Sequence, residues 1–161
     1  MELILWRHAE AEDGSNDLMR ELTERGQDQA KTMTKWLKPR LPKNYTVWVS
    51  QAARSQQTAM ALSKQYTIQP QINPDSSHEA VLQLLYETHW QENLILVGHQ
   101  PWLGRVCAQL LNGRAADLST NYWSVKKGAV WWLDIKADET AMMARVKAVM
   151  PPALLLPKSK H

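Results

Sequence analysis

Short apolar runs alternate with amphipathic stretches through the first two thirds of the chain. Three of these runs, Leu3–Trp6, Thr46–Val49 and Leu94–Val97, are continuously apolar or rich in β-branched residues. This pattern is typical of central strands that are covered on both faces. Because no apolar run is long enough to cross a membrane, we expect the segments between the strands to pack on the sheet as amphipathic helices.

Four segments carry apolar residues at helical spacing. The first is predicted to begin at the N-cap Thr23 and to end before Pro39, and the last to end at Gly113. Apolar residues define the faces of the four helices: Ala30, Met33 and Leu37; Ala59, Leu62 and Tyr66; Val81, Leu82 and Leu85 within residues 79–88; and Leu103, Val106, Cys107, Leu110 and Leu111.

The remaining segments predict the edges of the sheet. Ile68–Ile72 is a weaker strand, and Pro70 within it favours an edge position. From residue 125 the pattern changes, and Ala129–Ile135 with Ala144–Met150 predicts an antiparallel hairpin. A tail after about residue 151 is expected to be extended. Without a repeat or linker, residues 1–161 are predicted to form one domain.

Alternating strands and helices predict an α/β fold. The expected architecture is a mostly parallel sheet with helices on both faces and an antiparallel edge near the C-terminus. Ligands of such sheets bind beyond the carboxyl ends of the strands. Arg7-His8 and His99 directly follow two predicted strands, and Arg54 lies shortly after a third. If these strands are neighbours, two arginines and two histidines meet at one rim.

These four side chains indicate an anion site with phosphoryl-transfer chemistry. A guanidinium stays charged and matches phosphate oxygens with two parallel hydrogen bonds. A neutral histidine can act as a nucleophile, and a second histidine can stabilise charge. Phosphoryl transfer depends mostly on positioning and electrostatic stabilisation, which such a set can supply.

Charge and cysteine content limit the alternatives. The net charge of +3 and the pI of about 9.0 fit an anionic ligand. Since the basic residues form no stripe, nucleic-acid binding is not expected, and neither is membrane binding. The single cysteine, Cys107, excludes an intramolecular disulfide and favours a reducing compartment. No signal peptide is recognised, so the expected location is the cytoplasm.

The residues at this rim resemble the signatures of the histidine phosphatase superfamily, the phosphoglycerate-mutase-like proteins. The resemblance covers most of the chain and rests on four segments in the family's order: Arg7-His8-Ala9-Glu10, Arg20–Gly26, Ser50–Ala59 and Val97–Pro101. Only residues 55–98 separate Arg54 from His99, which leaves no room for the helical insertion that many members carry. In length and layout the chain is similar to the compact SixA-type phosphohistidine phosphatases.

The resemblance implies a role for each of the four main residues. His8 would attack phosphorus and become transiently phosphorylated, Arg7 and Arg54 would hold the phosphoryl oxygens, and His99 would stabilise them. No metal and no cofactor are implied. Glu10, Arg20 and Gln100 are weaker candidates from the substrate loops. Ala9 departs from the glycine that is usual in the family.

The resemblance secures no general acid, and this bears on the substrate. Glu10, Asp17 and Glu79 are weak candidates for that role. A ring-protonated phosphohistidine can expel neutral imidazole without an enzyme acid, whereas an alkoxide leaving group needs one. We therefore expect hydrolysis of phosphohistidine on a protein, for example a histidine phosphotransfer domain.

Two alternatives stay open at the level of sequence. The chain could be a phosphatase of small phosphoesters, or a module that binds phosphorylated proteins without turnover. The sequence leaves the oligomeric state undetermined.

Overall fold

A computed structural model describes residues 1–88, 92–113, 123–137 and 142–157 of the chain. Strands and helices alternate within these residues until a final β-hairpin. The strands and helices have these bounds: β1 Glu2–Arg7, α1 Glu24–Leu37, β2 Thr46–Val49, α2 Ala53–Met60, β3 Thr67–Ile68, α3 His78–Glu87, β4 Leu94–Gly98, α4 Trp102–Asn112, β5 Val130–Ala137 and β6 Met142–Met150.

The strands of the described residues form one six-stranded sheet in the order β3-β2-β4-β1-β5-β6. The four strands from β3 to β1 are parallel, whereas β5 runs antiparallel to β1 and pairs with β6 as an antiparallel hairpin. The predicted fold class is confirmed, including the antiparallel edge near the C-terminus.

Two apolar cores lie on opposite faces of this sheet. Side chains of β1 and β4 alternate between the faces, so that Leu3 and Leu96 enter one core and Ile4 and Val97 the other. The first core also holds the inner faces of α3 and α4, and the second those of α1 and α2. Helices cover both faces, which explains why the central strands are continuously apolar.

The helix ends follow the predicted capping chemistry at two positions. Thr23 caps α1, since its hydroxyl oxygen accepts a hydrogen bond from the backbone nitrogen of Gly26 at 2.9 Å. Gly113 ends α4 with a φ of +74°, in the region that favours glycine. The starts of α1 and α4 both lie near the carboxyl ends of the strands.

Two predicted elements are wrong in their extent. Helix α2 ends at Met60, although Leu62 and Tyr66 continue its helical spacing. Both side chains still contact the core under α1 and α2, so their spacing reflects burial and not helix. The predicted strand Ile68–Ile72 contains only the end of β3. Pro70 lacks a backbone donor and begins a 3-10 turn, which continues to Ile72.

The tail after residue 151 is not extended throughout. Pro152–Leu154 forms a 3-10 turn, and its first residue is buried. Residues 158–161 lie outside the described part of the chain. None of the helices in the described residues is long and apolar enough to cross a membrane.

Candidate active site

The structure brings Arg7, His8, Arg54 and His99 together at the carboxyl ends of the parallel strands. Strands β1 and β4 are neighbours, and the backbone nitrogen of His8 donates to the carbonyl of Gly98 at 3.1 Å. The two imidazole rings consequently lie 5.1 Å apart between centroids. Arg54 enters from the first turn of α2, which follows β2 on the other side of β4.

The ring of His8 is held with one nitrogen free. Its Nδ1 lies 2.8 Å from the carbonyl oxygen of Ala9. Because a carbonyl can only accept, Nδ1 carries the proton, and in the neutral ring the lone pair is on Nε2. Burial lowers the pKa of His8 to about 3. The hydrogen bond to Ala9 opposes this shift, and the charges of Arg54, Arg7 and Arg20 add to it. The ring is therefore neutral near pH 7, as a nucleophile requires.

His99 is held through its Nε2, whereas His8 is held through its Nδ1. Its Nε2 lies 2.7 Å from the hydroxyl of Ser50 and 3.2 Å from that of Ser55. Its Nδ1 is buried and has no hydrogen-bond partner among the described residues. Burial, followed by the electrostatic effects of His8, Arg54 and Arg7, lowers the pKa of His99 to about 2. An incoming anion would favour the protonated ring.

Each of the two guanidiniums uses only some of its N–H donors in hydrogen bonds within the described residues. Arg7 Nη1 donates to the carbonyl of Val125 at 2.9 Å. Arg54 donates from Nη1 and Nη2 to the backbone oxygen and the carboxylate of Asp17, at 2.6 and 3.0 Å. The Nε of each arginine is buried without a partner in the described residues. Burial and the charge of Arg54 lower the pKa of Arg7.

Asp17 links Arg54 to Arg20. Arg20 Nη1 donates to the other carboxylate oxygen of Asp17 at 3.0 Å, and its Nε donates to the carbonyl of Glu12. Partial burial raises the pKa of Asp17, but the two arginines outweigh it and the pKa is lowered. Asp17 is therefore ionised at neutral pH and is a poor proton donor.

The weaker candidates lie at the margin of the site. Glu10 accepts a hydrogen bond from the Thr23 hydroxyl at 2.8 Å. Both polar atoms of the Gln100 amide form hydrogen bonds. Its Nε2 donates to the carbonyl of Trp123, and its Oε1 accepts from the backbone nitrogen of Gly104. Glu79 lies on the exposed start of α3 and pairs with His78.

The methyl group of Ala9 faces the core. Ala9 is fully buried and packs with Leu22 and Ala30 between the first two helices. Its backbone nitrogen donates to the hydroxyl of Thr58 at 3.0 Å. The departure from glycine therefore fills space in an apolar cluster next to His8 in the chain.

The sequence interpretation missed three residues that hold the site in place. Ser50 and Thr58 belong to the same signature segment as Arg54. Their hydrogen-bond partners, His99 and Ala9 respectively, lie 49 residues away, so the motif alone does not predict these contacts. The third, Val125, contributes a backbone oxygen, for which a sequence gives no signal.

The site combines a free ring nitrogen on His8 with buried polar atoms that have no partner among the described residues. Nε2 of His8 carries a lone pair, and the Nε atoms of Arg7 and Arg54 and Nδ1 of His99 are buried without partners in the described part of the chain. Buried donors without partners are costly unless a ligand satisfies them. A tetrahedral or trigonal oxyanion next to His8 would satisfy several of them at once.

Comparison with known proteins finds a family model that matches part of the chain and solved structures that share its fold. Residues 3–76 match the family model described as histidine phosphatase superfamily (branch 1). No curated protein matches the chain in sequence. Among solved structures, the protein histidine phosphatase SixA complexed with tungstate is 22% identical, with a TM-score of 0.80 over 97% of this chain and 100% of that one.

The same fold occurs in phosphatases of other substrates. The alpha-ribazole phosphatase from Shigella flexneri is 21% identical, with a TM-score of 0.69 over 91% of this chain and 95% of that one. A phosphoserine phosphatase mutant from Entamoeba histolytica is 14% identical, with a TM-score of 0.71 over 96% and 99%. The resemblance that the motifs indicated is confirmed, while the fold alone leaves the substrate undecided.

Proposed function

Because residues 3–76 match the histidine phosphatase superfamily model and nearly the whole chain shares the fold of a protein histidine phosphatase, we propose that it hydrolyses phosphohistidine on a protein. The reaction proceeds through a phosphohistidine on His8. The observation that carries the proposal is the state of that ring, whose Nδ1 donates to Ala9 and whose Nε2 is free and neutral.

The first step transfers the phosphoryl group to the enzyme. His8 Nε2 attacks phosphorus in line, its bond to phosphorus forms, and the bond from phosphorus to the substrate imidazole breaks. Arg7 and Arg54 bind the equatorial oxygens through donors that have no partner among the described residues, and His99 Nδ1 donates to the same group. The electron pair of the broken bond stays on the substrate ring, which leaves neutral because it entered protonated.

The second step releases phosphate. Water attacks phosphorus, the bond between phosphorus and Nε2 breaks, and the water protons pass to the phosphate and the solvent. Nε2 regains its lone pair while the Ala9 carbonyl keeps the proton on Nδ1. The ring therefore returns to its starting tautomer.

The surroundings of the nucleophile support a leaving group that needs no enzyme acid. The Asp17 carboxylate is ionised between two arginines, and that of Glu10 is bound to Thr23. Glu79 is exposed on α3. Since none of these three candidates is presented as a proton donor beside His8, an imidazole is favoured over an alkoxide as the leaving group.

A side-by-side assay tests the proposal. Phosphate release is measured from a phosphohistidine-bearing histidine phosphotransfer domain and from a panel of sugar phosphates. We expect faster release from the phosphoprotein, and an acid-labile, base-stable phosphoryl group on the enzyme after rapid quenching. His8→Ala should abolish both the release and the label.

Lys64→Ala is the matched control, since Lys64 is exposed and precedes β3, at the amino ends of the parallel strands and away from the site. It should retain the activity and the label. Faster hydrolysis of the sugar phosphates would overturn the substrate assignment and favour a small-phosphoester phosphatase. Tight binding of the phosphoprotein without any label would instead identify a binding module.

A further inference from the structure

A groove of about 500 Å³ lies directly beside the proposed phosphate site. Arg7 is one of its lining residues. Its walls come from the start of α1, from the turn that precedes β5 and from the tail around Pro152. Since Arg7 belongs to both the groove and the proposed phosphate site, the groove adjoins that site and lies within reach of atoms that flank a phosphoryl group bound there.

Three exposed cations line this groove. Arg25 lies in the first turn of α1, and Lys126 and Lys127 lie in the turn before β5. Within the described residues none of the three has an ion-pair partner, and Glu10 is the only carboxylate that lines the groove. The groove therefore carries an uncompensated positive charge beyond that of the phosphate site.

The two lysines are fixed relative to the nucleophile by bonds on either side of them. Before them, the carbonyl of Val125 accepts from Arg7. After them, the backbone nitrogen of Gly128 donates to the carbonyls of Arg7 and His8, at 3.1 and 3.0 Å. The turn is thus bonded to the end of β1 at both of its sides, so its position is set by the catalytic strand.

Arg25 is also held in position relative to β1, through the residues next to it. The adjacent Gly26 approaches the backbone of Glu10 so closely that an added Cβ would lie 2.0 Å from the Glu10 carbonyl oxygen. The cap residue Thr23 also bonds to the Glu10 carboxylate. The first turn of α1 therefore packs on the segment that directly follows His8.

The third wall of the groove is apolar. Pro151, Pro152 and Ala153 line it, and Pro152 packs against Gly128, where an added Cβ would lie 2.8 Å from the proline ring. An apolar wall beside separated cations fits a stretch of polypeptide with carboxylate side chains better than a small anion, which would use the charges alone.

We propose that this groove binds an acidic segment next to the phosphorylated residue of the substrate protein. The inference rests on the proposed function for the identity of that residue. Arg25, Lys126 and Lys127 are then specificity-determining residues, which select substrates by the charge that flanks the phosphoryl group.

Paired peptides test the proposal. Two phosphohistidine peptides are compared that differ only in flanking residues, glutamates in one and glutamines in the other, and a second pair carries phosphotyrosine with the same flanks. For the unmodified protein we expect kcat/KM to be about tenfold higher for the glutamate peptide, mostly through KM, with the preference shrinking in high salt. Lys126→Gln/Lys127→Gln and Arg25→Gln should each reduce the preference severalfold.

Lys43→Gln/Lys64→Gln provides the matched control. Both lysines are exposed and precede β2 and β3, at the amino ends of the parallel strands and away from the groove. This variant loses the same net charge as Lys126→Gln/Lys127→Gln. This control should keep the full preference. Comparing flanks within each variant cancels any effect on the phosphate site itself.

The outcomes separate the two proposals. Hydrolysis of phosphohistidine without a flank preference, or a preference that the groove variants retain, overturns the groove and leaves the proposed function intact. Hydrolysis of the phosphotyrosine pair alone, with a preference that the groove variants lose, supports the groove and overturns phosphohistidine as the substrate. Absence of turnover for both pairs overturns both.

Discussion

Asp17 is an anion that already contacts Arg54 in the proposed phosphate site. Its carboxylate contacts Arg54 and Arg20, and its side chain is 54% exposed. A phosphoryl group bound at Arg54 must share that guanidinium with Asp17 or displace it. At the residue scale, the free protein therefore holds its arginine in place with a group that competes for the same charge.

Replacing Asp17 with asparagine should strengthen phosphate binding. The amide keeps an oxygen for Arg54 but removes a negative charge, and half-exposed pairs of this kind contribute about 1 kcal/mol or less each. We expect inorganic phosphate to inhibit the Asp17→Asn variant with a constant lower by about twofold to fivefold. Weaker inhibition would show that the charge of Asp17 serves chiefly to orient Arg54.

At the residue scale, part of the candidate site could be predicted from the sequence. His8, Arg54 and His99 follow from strand ends and motif spacing, because a parallel sheet brings such ends to one edge. The bond from Arg54 to Asp17 joins residues 37 apart and depends on how the loop after β1 folds back over α2. No local pattern encodes that contact.

At the scale of elements, the start of α1 packs closely on the segment that follows His8, the proposed nucleophile. Gly26 lies against the Glu10 carbonyl, and the preceding carbonyl, that of Ala9, sets the tautomer of His8. A side chain at position 26 has to displace this segment. The helix thus contributes to the chemistry without presenting a reacting group.

Gly26→Ala should therefore lower activity as well as stability. Overpacking costs about 1–3 kcal/mol, and the contact with a backbone atom suggests the upper part of that range. We expect kcat/KM to fall tenfold or more. Gly113→Ala is the control, because its φ of +74° makes alanine cost about 1 kcal/mol while its Cβ would contact nothing within 4 Å. Equal activity of the two variants would contradict the role given to α1.

The elements that the sequence mispredicted share one physical cause. Leu62 and Tyr66 keep helical spacing after α2 has ended, because an irregular segment packs on the same core. Ile72 is fully buried, yet it belongs to a turn and not to β3. Burial produces the apolar pattern in each case, and the backbone conformation is decided by Pro70 and by contacts distant in sequence.

At the scale of the whole molecule, the fold keeps two histidines neutral. Their folded pKa values, about 3 for His8 and about 2 for His99, lie far below the value of about 6.5 of an unfolded chain. Between those limits the unfolded state binds more protons than the folded state. The free energy of unfolding therefore decreases as the pH falls below about 6.5, and it reaches its full value only above that pH.

The expected loss between pH 7 and pH 5 is about 2 kcal/mol for each histidine. Chemical denaturation at a series of pH values measures this slope, and His8→Asn should reduce it by about half while leaving the contribution of His99. The asparagine amide can still donate to the Ala9 carbonyl, so the comparison removes the titrating group with little change in packing. An unchanged slope would mean that His8 titrates in the folded protein near its unfolded value of about 6.5. The fold would then not keep the His8 ring neutral as the pH falls from 7 to 5.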